Sequence, residues 1–217
     1  MDYATFPAFI ETNTKIASPP LVPEIKLCLA TEITPIWQAT ETELDATGIP
    51  PPFWAFCWPG GQALARHLLD NPEIVRGRQV LEFAAGGAVS GIAAAMAGAA
   101  RVLASDIDEF ALAAAQINAG LNNVEIEVSP IDLLQSPDAT GYDVILAGDI
   151  FYEQTPAIGV EAFLRREADG GATVLIGDPG RKYLPAIGLT EIARYDVPTS
   201  LELEDREHRD GIVWRVV

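Results

Sequence analysis

At 217 residues the chain has room for one full α/β core and is short for two. Its 14 Lys and Arg stand against 31 Asp and Glu, a net charge of −17, so a nucleic-acid-binding face is hard to assemble; the same charge would attract a basic protein or simply serve solubility. No apolar run approaches the ~20 residues that cross a bilayer, and the opening MDYATFPAFIETNTK lacks a basic region followed by an apolar core, so the expectation is a soluble, cytoplasmic protein with no membrane partner.

Met1 to Pro23 is rich in proline and small polar residues and reads as a loose arm or lid. Ile25 to Thr31 and Ile36 to Thr40 read as two strands of a small hairpin. Residues 1–50 are therefore expected as an arm and hairpin packed on a main domain spanning 51–217. Pro50, Pro51 and Pro52 forbid a helix and deliver the chain to an aromatic cluster, Phe53, Trp54, Phe56 and Trp58. Gln62 to Asp70 repeats apolar residues at helical spacing, with Leu64, Leu68 and Leu69 turned inward and His67 half exposed. Cys28 and Cys57, with His67 and His208, have neither disulfide-framework nor metal-ligand spacing, so no metal is expected.

Arg78 to Asp108 organises the rest. Gln79 to Phe83 is a short apolar strand carrying the acid Glu82, Ala84 to Gly91 is almost free of side chains, Ile92 to Ala100 is helical, and Val102 to Ala104 is a second strand ending at Ser105 and Asp106. A right-handed crossover makes the two strands parallel, and ligands enter where their carboxyl ends open. Small residues such as Ala84 and Gly86 let the backbone approach a ligand closely. Asp106 lies about 20 residues past the turn, where a carboxylate grips the two hydroxyls of a ribose. The competing readings are a turn or helix cap for Glu82 and a helix N-cap for Asp106. Ala84 and Ala88 break a GxGxxG pattern, and Ile92-Ala93 stand where a P-loop needs lysine and hydroxyl. Pyrophosphate and phosphate cradles are thus disfavoured, which leaves a nucleoside without phosphates.

Asp108 can cap a helix to Leu121 with Phe110, Leu112 and Ile117 inside, followed by a third strand over Val124 to Ser129 and by Asp132, in a capped turn or at a ligand. Tyr142 to Ala147 is a buried fourth strand and Thr155 to Ala168 a covering helix. Gly171 to Gly177 is a fifth strand opening into Asp178-Pro179-Gly180-Arg181, which is strong turn chemistry by itself. Leu189 to Tyr195 and Gly211 to Val217 are the closing strands.

Asp149-Ile150-Phe151-Tyr152 resembles the D-x-x-F/Y motif after strand four in the seven-β-strand, class I lysine-directed methyltransferases. FWAFCWPGGQ (Phe53 to Gln62), LDNPEIVRG (Leu69 to Gly77) and IGDPGR (Ile176 to Arg181) are similar to the electron transfer flavoprotein β-subunit lysine methyltransferases. The resemblance implies a Rossmann-like α/β fold: seven strands, mostly parallel, an antiparallel C-terminal hairpin, helices on both faces and a small N-terminal extension. It implies S-adenosylmethionine as cofactor, with Trp58, Glu82, Ala84, Gly86, Asp106, Asp132 and Gly148 around it. Trp58 would lie along the cofactor and Asp132 meet the adenine amino group, while Phe53 and Phe56 pack in the core. At the methyl-transfer end it implies Asp149 as orienter of the acceptor amine, with Phe151 and Tyr152 as an apolar wall and Asp178 and Arg181 in support. The implied partner is the electron transfer flavoprotein β subunit. Another acceptor, such as a ribosomal protein or small amine, or a binding module without catalysis, shares most of these residues.

Overall fold

The computed structural model describes residues 6–31, 51–136, 141–199 and 206–217. The central feature is a seven-stranded sheet. Strand β3 (Gln79–Phe83) leads through α3 (Val89–Met96) to β4 (Arg101–Ser105), and α4 (Glu109–Leu121) leads on to β5 (Glu127–Ser129). Strand β6 (Val144–Gly148) then returns to the other side of β3, followed by α5 (Gln154–Asp169), β7 (Thr173–Asp178), β8 (Leu189–Pro198) and β9 (His208–Val216). The order across the sheet is β5-β4-β3-β6-β7-β9-β8. The pairs from β5 to β7 are parallel, while β9 runs antiparallel between β7 and β8. The fold expected from the sequence is the one observed.

Alternation along the central strands divides the core in two. Val80, Val144, Leu146 and Leu175 face α3 and the helix α2 (Pro59–Asp70), meeting Leu64, Leu68 and Ile92. Leu81, Phe83, Ile145 and Ile176 face the opposite side and meet Val160, Phe163 and Leu164 of α5. Because β3 and β6 are adjacent, parallel and in the middle, their carboxyl ends open side by side where the strand order reverses.

The N-terminal part departs from expectation. Phe6–Asn13 is a helix, α1, that buries Phe6 and Ile10. Phe6 and Phe9 pack on Phe110 of α4 with ring centroids 4.6 and 5.0 Å apart, so this stretch is anchored rather than loose. A small hairpin exists, but its strands are β1 (Lys15–Ala17) and β2 (Leu27–Leu29), paired antiparallel. The expected partner, Ile36 to Thr40, lies outside the described residues. His67 is also corrected: it is buried at the β8 side of α2, its ring nitrogen 3.3 Å from the Tyr195 hydroxyl. No described helix is long and apolar enough to cross a membrane.

Candidate active site

The turn after β3 is tight. Ala84, Gly86 and Ala88 all have left-handed backbone, φ 51°, 51° and 61°. Two alanines therefore hold a conformation that costs an L-residue roughly 1–2 kcal/mol. That geometry aims the Gly86 N–H at Asp106, whose Oδ2 accepts it at 2.8 Å, while Oδ1 accepts the Asp108 N–H at 3.0 Å. Asp108 in turn caps α4, accepting from the Phe110 N–H at 2.9 Å. Glu82 is turned away. Its two oxygens accept the N–H groups of Ser90 (3.0 Å) and Gly91 (2.8 Å) in the first turn of α3. Burial pushes the Glu82 carboxyl up to about 7, against the pull of those donors.

A second carboxylate stands at the end of β6. Asp149 has φ 56°, and its N–H donates to the Gly177 carbonyl at 2.8 Å. This left-handed residue ends β6 and turns its side chain toward the first turn of α2, where Oδ2 accepts the Gly61 N–H at 2.8 Å. The contact requires glycine on both elements: a Cβ on Gly60 would lie 2.1 Å from the Gly177 carbonyl oxygen, and one on Gly177 equally close to that of Gly60. The Pro-Gly-Gly after Trp58 is thus the device that brings a helix N-terminus onto a strand end.

Arg181 completes this side. Asp178, fully buried, accepts the main-chain N–H groups of Gly180 (2.7 Å) and Arg181 (2.6 Å) in a closed turn. The turn sends the Arg181 side chain back, so that Nη2 donates to Asp149 Oδ1 at 3.0 Å and the guanidinium carbon lies 5.7 Å from the centre of the Trp58 ring. Burial pushes the Asp149 carboxyl up to about 7; Arg181 and the Gly61 N–H oppose this, and the Asp178 charge adds to it.

Between the two sides lies a cavity of about 910 Å³. Trp58, Ala84, Asp106, Asp132, Gly148, Asp149 and Tyr152 all line it. Gly86 and Glu82 sit behind this surface, one holding Asp106 and the other holding α3. Asp132 closes a turn, accepting from the Leu134 N–H and the Gln135 amide, and still borders the cavity. Phe151 contradicts the expected wall: it is fully buried on the α5 side of the sheet, among Leu81, Ile145 and Phe163. Its place is taken by Phe53, expected in the core but 48% exposed, with its ring 5.5 Å from Tyr152 and 6.4 Å from Trp58. Trp54 is the core residue of that cluster, stacked on Phe110. Arg181 also lines the cavity, which the turn chemistry of its segment did not reveal.

The donor set fits a cationic nucleoside. Among the described residues lining the cavity, Asp106, Asp108, Glu109, Asp132 and Asp149 are acidic, and the only basic one, Arg181, is already engaged by Asp149. A polyphosphate would meet repulsion there, whereas a ribose diol and a positive centre would meet acceptors. No group of three or more His, Cys, Asp or Glu among the described residues could hold a metal.

The chain is 41% identical over 217 residues to the electron transfer flavoprotein β-subunit lysine methyltransferase of Xenopus laevis, covering 97% of this chain and 87% of that protein. The human enzyme of the same name is 36% identical, covering 97% and 80%. The chain belongs to the electron transfer flavoprotein β-subunit lysine methyltransferase family. Within it, residues 63–159 also match the model of the ribosomal protein L11 methyltransferase family. Two solved structures share the fold. A putative RNA methyltransferase from Pyrococcus horikoshii gives a TM-score of 0.56 at 16% identity, over 77% of this chain and 90% of that one. Magnesium protoporphyrin IX methyltransferase from Synechocystis, solved with bound S-adenosylmethionine, gives 0.53 at 18% identity, over 73% and 79%. For this lysine methyltransferase family member, the cavity at the switch point between β3, β4 and β6 is the candidate active site.

Proposed function

We propose that this protein transfers methyl groups from S-adenosylmethionine to lysine side chains of the electron transfer flavoprotein β subunit. The observation that carries the reading is Asp149. In a chain belonging to this family, it is a buried carboxylate fixed by a helix N-terminus, at the edge of an acidic cavity and beside the aromatic rings of Trp58, Phe53 and Tyr152. Asp106 would accept the ribose hydroxyls, Asp132 the adenine amino group, and Ala84 and Gly148 would let the backbone approach the ligand. Gly86 and Glu82 support that surface from behind, and Trp58 lies alongside.

When bound, S-adenosylmethionine supplies an electrophilic methyl: the amine lone pair makes the N–C bond, the S–C bonding pair stays on sulfur, and the product ammonium gives its extra proton to water. The protein's task is alignment and control of protonation. A lysine amine with an ordinary pKa near ~10.4 is almost wholly ammonium at neutral pH and has no lone pair to offer. Asp149 holds the amine at the cavity, while Phe53, Trp58 and Tyr152 exclude water and disfavour the charged form. The test is incubation of the pure protein with methyl-labelled S-adenosylmethionine and purified flavoprotein, followed by peptide mass spectrometry. Label on lysines of the β subunit is expected; an unlabelled flavoprotein, or label on another protein in a lysate of the source organism, refutes the substrate.

A further inference from the structure

Asp149 is not alone at the acceptor end of the cavity. The groups nearest it are Asp178 from β7 and the half-buried Cys57 thiol from the aromatic segment, with Tyr152 beside it on its own segment, Asp106 across the cavity, and Glu82 of β3 behind, held by α3. Burial pushes the Cys57 thiol well up, with the Asp149 and Glu82 charges adding to it, and burial likewise raises the Tyr152 phenol, so both stay neutral. From α2 comes a main-chain N–H, that of Gly61. Arg181 is therefore the positive side chain set against a group of acids, and its aim is built in by the Asp178 turn behind it and the Trp58 face beside it.

A lone carboxylate in this place would be a trap. It would bind the incoming lysine tightly as ammonium and raise the pKa of that ammonium, which is the opposite of what a nucleophile needs. We propose that Arg181 is a positioning residue that balances the Asp149 charge, so that the acceptor lysine is held at Asp149 as the neutral amine instead of as an ion-paired ammonium. The inference rests on the lysine-methyltransferase reading above. Geometry supports it: the guanidinium is 3.0 Å from Asp149 Oδ1, and the two side chains are only 20% and 7% exposed, so their charges are weakly screened. The carboxylate retains capacity to accept from an amine, because an ionised carboxyl offers roughly four lone-pair sites and these contacts use two.

The decisive measurement is kcat against pH, from about 6 to 10, for methylation of the purified flavoprotein at saturating S-adenosylmethionine. Arg181→Gln is expected to move the acid limb of the profile, set by the acceptor ammonium, up by about one pH unit, as removal of a neighbouring like charge does. It is then about tenfold slower than wild type near neutrality and recovers toward pH 10. KM for the flavoprotein stays level or falls, because the ammonium is held more tightly. Arg181→Met, which keeps an apolar stem on Trp58, should give the same shift, and Arg181→Lys, which keeps the charge, should return the limb to its wild-type position. A loss by the same factor at every pH, a raised KM with intact kcat, or a Lys variant indistinguishable from the Gln variant would overturn the proposal. If wild type itself leaves the flavoprotein unlabelled while binding S-adenosylhomocysteine by calorimetry, the substrate reading fails first and the proposal with it.

Discussion

Glu82 and Asp149 invite comparison. They sit at the ends of neighbouring parallel strands, both are buried, both carboxyls are pushed up to about 7, and each meets the first turn of a helix. Their roles diverge through their second contacts. Glu82 gives both oxygens to the main chain of α3 and lies behind the cavity surface. Asp149 gives one oxygen to α2 and the other to Arg181, and it borders the cavity. An acid that spends itself on backbone donors is a structural cap; an acid at an opening with lone pairs left over can also accept from a substrate.

The sharpest way to break that contrast is Asp149→Asn. Asparagine tolerates left-handed backbone and can still accept the Gly61 N–H, so the fold should survive. Without the charge the acceptor amine is no longer placed, and methyl transfer should fall by about 10²-fold or more. Binding of S-adenosylhomocysteine, read by calorimetry, should persist. Near-normal turnover would remove Asp149 from the reaction. Gly60→Ala attacks the same place through packing. Its new methyl would run into the Gly177 carbonyl, a backbone group that cannot swing aside, which should cost about 3 kcal/mol in denaturant unfolding. A variant of wild-type stability would mean that α2 and β7 are not held this tightly.

The strands and helices that make the sheet were legible because their periodicities of 2 and 3.6 are local properties of the chain. Features set by contacts far apart in sequence were not. The helix Phe6–Asn13 is a short segment made stable by Phe110, about a hundred positions on, and His67 is buried by Tyr195, which lies 128 positions away. The aromatic wall shows the limit most plainly. Asp149-Ile150-Phe151-Tyr152 offers two aromatics in a row, and the left-handed turn at Asp149 sends Phe151 into the α5 side of the core and Tyr152 to the cavity. Nothing local marks Phe53 as their companion. The residue pattern showed Arg181 as part of a turn, and the family resemblance gave it only a supporting role; the pair it makes with Asp149 required the parallel register of β6 and β7.

Glu82→Gln sharpens the other half of the comparison. A carboxyl raised from 4.5 to about 7 in the folded state binds its proton more tightly there than in the unfolded chain. Its contribution is therefore fully present below about pH 4.5 and is lost as the pH rises through 7, a decline of up to about 3 kcal/mol. Urea unfolding of the wild type should show stability falling across this window, with Asp149 and Asp108, also raised, adding to the slope. The glutamine variant should be flatter. At pH 5 it should be less stable by about 2 kcal/mol, because its amide group faces a buried N–H that then lacks an acceptor, and the deficit should shrink by pH 8. An unchanged slope would mean that Glu82 ionises in the fold as it does in water.

The finest distinction is between two acids in one loop. Asp106 holds the Gly86 turn at the cavity, whereas Asp108 caps α4 through the Phe110 N–H. If the ribose is gripped by Asp106, then Asp106→Ala should weaken S-adenosylhomocysteine binding about tenfold, the effect of losing a charge-assisted hydrogen bond. Asp108→Ala should act chiefly on stability, by about 1 kcal/mol, the usual cost of a lost N-cap. The two side chains are close enough for their charges to interact, which adds to the upward shift of Asp108, so calorimetry on both variants at one pH is needed to separate them. Equal losses of affinity would mean that the ribose contact is shared across the loop, with Asp108 doing more than capping its helix.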